Sequence, residues 1–392
     1  MLKNNEQKKF FPYAKQSIDA SDIEAVKEAL TQPLITRGEK TRQFEEALAQ
    51  KVSAKWAVTF TSATTGLYAA FQAADVSAYD RFLTTPNSFI ATTAAGMRLG
   101  AKPTFIDIDR KTGNMSLDGL KNALKEPMSR GRFVVAPVHF SGIAQDMAAV
   151  DRMLKGPEYV IIEDAAHAIG SLYPDGSMVG SCTHSHMTVF SFHAIKTLTT
   201  GEGGCVTTND EKLYKRLLKI RNSGMERELL TQGLPAPWYY EVQELSGNYH
   251  MTEMQAALGL SQLSRLDAFV EKRKKIVSWY RQKLAQVSGL TLFDPSTDEK
   301  TCHHLMCVQI DFEKYKTTKT ALMQRLTEAG IGTQYHYIPL YRHPIVTKVC
   351  GDIAEQFPEM ESYYKQALSL PLYYDLEEAD VSYICETLLK SL

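Results

Sequence analysis

Between residues 82 and 192 the chain repeats one pattern: a short run rich in Val, Ile and Phe, a polar break, then helical spacing. The runs are Phe82–Thr85, Thr104–Asp107, Phe133–His139, Tyr159–Glu163 and Met187–Phe192, with a helical stretch over Asn87–Leu99. Such runs are too apolar to leave one face in water, so helices must cover both sides. The pattern therefore predicts an α/β fold with a mostly parallel sheet. Trp56–Phe60 and Cys205–Thr208 read as further strands. In sheets of this kind ligands collect at the carboxyl ends of the strands. Phe89, Asp164, Ser191 and Lys196 all fall at or just after such ends.

Lys196 is the sharpest of these. The strand over Thr188–Phe192 ends in a polar turn that carries it, followed by Gly201, Gly203 and Gly204. A lysine amine in a partly desolvated cleft can form a Schiff base with an aldehyde, the way pyridoxal phosphate (PLP) is attached to its enzymes. Upstream, EDAAHAIG at 163–170 puts Asp164 at a strand end, where it either caps a helix or pairs with a protonated ring nitrogen. His167 reads as a structural histidine or a partner for a ring oxygen, and Phe89 as core or as a stacking face. Ser191 either ends its strand or donates to a phosphate. In TSATTGL, Thr64 and Thr65 stand before a helix, where they serve as caps or hold a phosphate on the free N–H groups.

The rest of the chain narrows the class. With 392 residues and 44% hydrophobic side chains it can bury a large core and a second, smaller one. A formal charge of -1, with no basic cluster, argues against nucleic acid or a charged membrane surface. The polar N-terminus and the lack of a long apolar run lead to the expectation of a cytoplasmic protein. The six cysteines form no C-x-x-C pair and read as reduced thiols. Cys302-His303-His304 with Cys307 suggests a metal, but lies in what reads as a strand, with neighbours facing opposite ways, so no metal is expected. Ser21 reads as the cap of a first helix over Asp22–Thr31, and Gly38 as the entry to a second. Asn222–Gly247 is too long for a plain connection and reads as a substrate or dimer loop. Residues 248–287 are helical throughout and bridge to an α+β region with strands at HHLMCVQIDF and TQYHYIPLY. The expected division is a large domain over 11–250, then the bridging helix and a small domain over 251–392.

Seven spaced motifs agree in order: PLITRGEKTRQFE, TSATTGL, PNSFIATTAAGMRLGAKPTFIDID, VHFSGIAQDM, EDAAHAIGS, SFHAIKTLTTGEGG and GNYHMTE. Together they resemble the DegT-type sugar aminotransferases, PLP enzymes of fold type I, from Phe11 to the C-terminus. The resemblance implies a seven-stranded-type sheet sandwiched by helices, with a smaller α+β domain. It makes Lys196 the Schiff-base lysine and Asp164 the partner of the pyridine nitrogen, with His167 near the ring oxygen and Phe89 over the ring. Ala63, Thr64, Thr65 and Ser191 would surround the phosphate, which Asn248 would reach from a partner subunit, so a homodimer with shared sites is implied. The opening FPYAKQSIDASDIEAV and the later TQYHYIPLYRHP and FPEMESYYKQALSLPLY resemble the branch that aminates a UDP-linked 4-keto-6-deoxy sugar in pseudaminic acid biosynthesis. That likeness would line the sugar-nucleotide site with Tyr13, Ile35, Thr36, Ala63, Ser191, Asn248, His336, Tyr337, Ile338 and Pro339. The implied chemistry is ping-pong transamination from L-glutamate, with Lys196 as general base. The alternatives are sibling keto-sugar nucleotides, a dehydratase using pyridoxamine phosphate, against which Lys196 argues because such relatives carry histidine there, and a non-catalytic protein on the same fold. Two residues depart from the family pattern: His250, where arginine is usual, and Phe140, where tyrosine is common.

Overall fold

The computed structural model describes residues 9–127, 130–154, 158–232 and 236–392. A seven-stranded sheet is built from β1 (Trp56–Phe60), β2 (Arg81–Thr84), β3 (Pro103–Phe105), β4 (Phe133–Ala136), β5 (Tyr159–Asp164), β6 (Met187–Ser191) and β7 (Gly204–Thr208). Its order is β1-β7-β6-β5-β4-β2-β3. Only β7 runs against the others, pairing antiparallel with both β1 and β6. The sheet is thus mostly parallel, as its apolar runs require, and β2, β4, β5 and β6 are fully buried over most of their length.

Helices cover both faces. One apolar core joins the sheet to α3 (Ala63–Ala73), α4 (Ile90–Arg98) and α7 (Glu211–Arg221), with Leu67, Phe71, Ala95 and Leu217 against Phe60, Phe82 and Val189. The other face packs on α2 (Glu39–Val52), α5 (Leu117–Ala123), α6 (Met147–Met153) and α8 (Glu253–Ser264) through Phe44, Leu120, Val150 and Ala256. The first helix, α1 (Ala20–Leu30), is capped by Asp19 rather than Ser21. The Asp19 carboxylate accepts from the Ser21 and Asp22 N–H groups, and Asp22 returns a bond to the Asp19 N–H. Asp22 is buried and also accepts from Arg265 and from Gln262 Nε2 (2.7 Å), which ties α1 to α8. Glu253, at the start of α8, reaches the other way. Its buried carboxylate accepts from the N–H groups of Gly38, Lys40 and Thr41 at 3.0, 2.7 and 3.2 Å, serving as the acceptor that α2's own N-cap, Gly38, lacks.

The expected long helix is two, α8 and α9 (Leu266–Leu284), meeting at Arg265. From α9 onward a second core forms around Trp279, Tyr280, Val308, Leu322, Leu368 and Ile384. Its sheet holds β10 (Leu290–Leu292), β11 (Met306–Ile310) and β12 (Ala367–Leu370), with α10 (Lys319–Glu328) and α13 (Glu378–Ser391) packed on it; β8 (Met225–Glu226) and β9 (Glu241–Val242) form a separate ribbon. Phe11 belongs to this second core, since its backbone pairs with Gly330 and Gly332. Two expected strands differ. TQYHYIPLY is irregular, held by Gln334 pairing with Ser369, and the third strand is Ala367–Leu370 instead. HHLMCVQIDF forms a strand only from Met306, because His303 takes a left-handed backbone (φ 51°) that breaks the extended run. Helices α11 (Pro344–Cys350) and α12 (Pro358–Gln366) complete the chain. Among the described residues no helix is long and apolar enough to cross a membrane.

Candidate active site

A cavity of about 460 Å³ opens at the carboxyl ends of β1, β4, β5 and β6. Strand alternation sorts the two acids of β5. Glu163 turns away and is satisfied by His139 Nε2 and Tyr173 OH, both at 2.7 Å, with Thr188 Oγ1 at 2.8 Å. Asp164 turns to the cavity. Its Oδ1 accepts from the Ala166 N–H at 3.0 Å and its Oδ2 from the hydroxyl of Thr92 on α4.

Lys196 lies in the short return from β6 to β7. Antiparallel neighbours need no crossover helix, so this link can be a tight turn. Phe192 N donates to Gly203 O and Thr200 N to Phe192 O, both at 2.9 Å, and Lys196 N donates to His193 O. The Lys196 amine stands 3.4 Å from His304 Nε2. Burial brings its pKa down to about 8, with Asp164 and Cys302 opposing the fall. His167 is buried, and burial together with Lys196 and His336 holds it well below its usual value, so the ring is neutral. Its Nδ1 accepts from the Ser141 N–H at 3.3 Å, which leaves Nε2–H to face the Tyr337 hydroxyl at 3.2 Å. Phe89 sits at the N-cap of α4, 58% exposed, its ring 6.5 Å from that of Tyr337. An apolar ring left this open at a cavity mouth is placed to cover a flat ligand.

The opposite wall is the N-terminus of α3. Ser62 is the N-cap, its Oγ accepting from Thr65 N (3.2 Å), while Thr65 Oγ1 accepts from Ser62 N (3.1 Å). This capping box occupies the Thr65 hydroxyl. The N–H groups of Ala63 and Thr64 have no acceptor among the described residues, and both residues line the cavity with Ser62. Gly204 makes this close packing possible. A Cβ there would lie 2.4 Å from Ala63 N and 2.5 Å from Ser62 C.

Ten of the residues singled out in the sequence meet at this cavity: Tyr13, Ala63, Thr64, Phe89, Asp164, His167, Ser191 and Lys196 from the first half of the chain, with His336 and Tyr337 from the second. Thr65, Ile338 and Pro339 do not line it. Nor do Ile35, Thr36 and Asn248, which cluster on a strip beside it. There Thr36 pairs with Thr252, Asn248 with Asn222, and Tyr249 O accepts from Thr61 N at 3.0 Å. His250 points into this strip, 3.1 Å from Asn222 Oδ1, and burial with Arg221 and Arg37 lowers its pKa to about 4. Phe140 is buried behind His167, with ring centroids 6.0 Å apart. The sequence did not signal Ser62, Thr92 or Glu202, and it signalled His304 only as part of a metal candidate, not as a neighbour of Lys196. The first two sit within quoted motifs but look like ordinary helix residues, and Glu202 like a loop acid. His304 lies more than a hundred residues from Lys196 along the chain.

Residues 16–389 match the DegT/DnrJ/EryC1/StrS aminotransferase family. The chain belongs to this family. It is 35% identical over 379 residues to the spore coat polysaccharide biosynthesis protein SpsC of Bacillus subtilis, covering 96% of each chain. It is 33% identical over 381 residues, 97% of each chain, to the UDP-4-amino-4,6-dideoxy-N-acetyl-β-L-altrosamine transaminase of Campylobacter jejuni strain 81-176. Among solved structures, the Helicobacter pylori aminotransferase PseC, described as involved in pseudaminic acid biosynthesis, superposes with a TM-score of 0.89 at 29% identity, covering 98% of this chain and 99% of that one. The protein is therefore a sugar aminotransferase, and its fold is that of the fold type I PLP-dependent transferases.

The residues present fit PLP. A partly neutral buried amine, a carboxylate at a strand end, an exposed aromatic ring and two unpaired N–H groups at a helix N-terminus face one cavity, as its aldehyde, ring nitrogen, ring face and phosphate require.

Proposed function

We propose that the protein is a PLP-dependent aminotransferase that converts UDP-2-acetamido-2,6-dideoxy-β-L-arabino-hexos-4-ulose to its 4-amino sugar, with L-glutamate as donor, in pseudaminic acid biosynthesis. The observation that carries the class is the buried Lys196 amine facing the Asp164 carboxylate across a cavity floored by the N-terminus of α3. The likeness to the Campylobacter and Helicobacter enzymes, over nearly the whole of each chain, supports the substrate.

Lys196 would hold the cofactor and Asp164 its ring nitrogen. Phe89 would cover the ring, and Ser62, Thr64, Ser191 and the Ala63 and Thr64 N–H groups would take the phosphate. When bound, PLP supplies an electrophilic carbon for the amino group and a ring that delocalises the charge left when a proton departs. A lysine with pKa about 8 is neutral often enough near neutrality to accept a proton and cationic often enough to return it. Lys196 Nζ thus removes the α-proton of glutamate in one half-reaction and delivers a proton to sugar C4 in the other. Thr92 and the Ala166 N–H, each binding one oxygen of Asp164, fix its carboxylate plane. Tyr13, His336 and Tyr337 form the wall against which the sugar would lie.

A homodimer with shared sites is part of this proposal. Ile35, Thr36 and Asn248 form one strip at the rim of the cavity rather than in it, and Ile35 is 49% exposed, as residues directed at a partner subunit's site would be. A second reading, the same chemistry on another keto-sugar nucleotide, is favoured by the 35% identity to the spore coat protein.

The test is spectroscopic. L-Glutamate should bleach the cofactor absorbance of the purified protein, and the UDP-linked 4-keto-6-deoxy-altrosamine compound should restore it. Restoration only by another keto-sugar nucleotide would discard the substrate, and no bleaching by glutamate would discard the donor.

A further inference from the structure

His304 lies just ahead of β11, in the second half of the chain, yet its imidazole ends behind the cavity wall, beside the Lys196 amine. The ring is 3% exposed, its centroid is 4.4 Å from that of His167, and its Nε2 is 3.4 Å from Lys196 Nζ. Its other nitrogen, Nδ1, is buried without a hydrogen-bond partner among the described residues. Leaving a buried polar atom unpaired is costly, so the ring is not there for its own stability.

The backbone around it is held firmly. Arg273 of α9, itself 3% exposed, donates through Nη1 to the carbonyl of His303 at 3.1 Å, to that of His304 at 3.5 Å and to that of Leu372 at 3.3 Å. His304 N donates to Ser141 O at 2.9 Å, and Cys302 Sγ donates to His167 O at 3.1 Å. A buried guanidinium committed to carbonyls rather than to an acid locks this segment against α9 and so fixes where the imidazole points.

We propose that His304 is the positioning residue for the Lys196 amine: its Nε2 accepts an N–H from Nζ whenever that nitrogen is not engaged with the cofactor, and so aims the amine's lone pair into the cavity. The inference rests on the assignment of Lys196 as the cofactor-holding lysine. The groups that face Lys196 are Asp164 from β5, His167 after it, Cys302 and His304 ahead of β11, and His336 ahead of β12. Burial and the neighbouring Lys196 keep His304 far below its usual pKa, so it meets the amine as a neutral acceptor over the working range. Asp164, the one carboxylate acting on Lys196 among the described residues, has each oxygen bound by another donor. His304 is the amine's only hydrogen-bond partner among the described residues.

The test uses cofactor-free full-length protein and competitive acetylation with acetic anhydride, reading the Lys196 peptide by mass spectrometry across pH. Lys196 should titrate near 8 in the wild type. His304→Leu removes the acceptor that favours the charged amine, so the midpoint should fall by about one unit, the size expected for a hydrogen bond to a charged group. The rate of PLP capture, followed by absorbance, should drop at least ~10-fold as the amine loses its orientation. His304→Gln, whose amide oxygen can still reach, should recover both. If His304→Leu does not fold, His304→Asn, polar but too short to reach, carries the same expectation. An unchanged midpoint and capture rate in the folded variant would overturn the proposal, as would a His304→Gln variant as impaired as His304→Leu. The prior assignment fails separately, if Lys196→Ala still holds PLP in a borohydride-reducible linkage.

Discussion

Gly204 is the position at which one methyl group should separate cofactor binding from folding. It begins β7, opposite Phe60 of β1 on one side and Ser191 of β6 on the other, so ladders on both edges hold its backbone. In Gly204→Ala the new Cβ would stand 2.4 Å from Ala63 N, 2.5 Å from Ser62 C and 2.6 Å from Ser62 O. Ordinary contact begins at 3.4 Å, so the Ser62–Ala63 turn must retreat by 3.4 − 2.4, or 1.0 Å. All three obstructing atoms are backbone, and no rotamer change can relieve them. Overpacking of this kind costs roughly 1–3 kcal/mol, which a chain of this size should survive folded. The same movement shifts the N–H groups of Ala63 and Thr64, and an ångström of misplacement is worth up to ~100-fold where groups act by fixed geometry. The expected outcome is a lower urea midpoint with native far-UV circular dichroism, and PLP affinity weaker by about 10–100-fold in absorbance titration. A variant that binds PLP as tightly as the wild type would refute the argument that the N-terminus of α3 holds the phosphate.

Two further outcomes follow from the same geometry. Lys196 has a folded pKa of about 8 against 10.5 for an ordinary lysine. Between these values the unfolded chain binds the proton that the folded one has lost, so the contribution of Lys196 to stability rises with pH from about 8 to about 10.5 and is flat below that window. Urea midpoints of the cofactor-free wild type should therefore rise relative to those of Lys196→Met between about pH 7.5 and pH 9.5, and a pH-independent difference would contradict the lowered pKa. For shared sites, mixing inactive Lys196→Ala with impaired Asn248→Ala protein under conditions that exchange subunits should restore part of the activity, because one site of each mixed dimer is intact. No restoration after verified exchange would place Asn248 in its own subunit's site.

Much of this was legible in the sequence because it depends on local pattern. The apolar runs gave the strands within a residue or three, and the sheet's parallel arrangement put Asp164, Ser191 and Lys196 on one edge. The reversal of β7 could not be read from composition; it follows from a return too short for a crossover. Asp19 outcompeted Ser21 as the cap of α1 because Asp22 sits three residues after it, completing a reciprocal pair of bonds that a reading from Ser21 overlooks. TQYHYIPLY has the composition of a strand, yet its place at the cavity wall turns His336 and Tyr337 towards the site and leaves the ladder to Ala367–Leu370. The pair His303-His304 stood out in the sequence only as a metal candidate, and its real placement was hidden for the same kind of reason. A left-handed residue breaks the alternation on which the strand reading relied, and only the fold brings His304 to Lys196. Contacts between distant segments leave no local period to detect.

The central claim is that Lys196 is the residue that holds the cofactor, and borohydride reduction followed by peptide mass mapping tests it most directly. PLP-loaded protein, reduced and digested, should carry the phosphopyridoxyl mass on the peptide containing Lys196. Adding L-glutamate before the reductant should leave that peptide unmodified. Label on another lysine, or label on Lys196 that glutamate does not displace, would contradict the account.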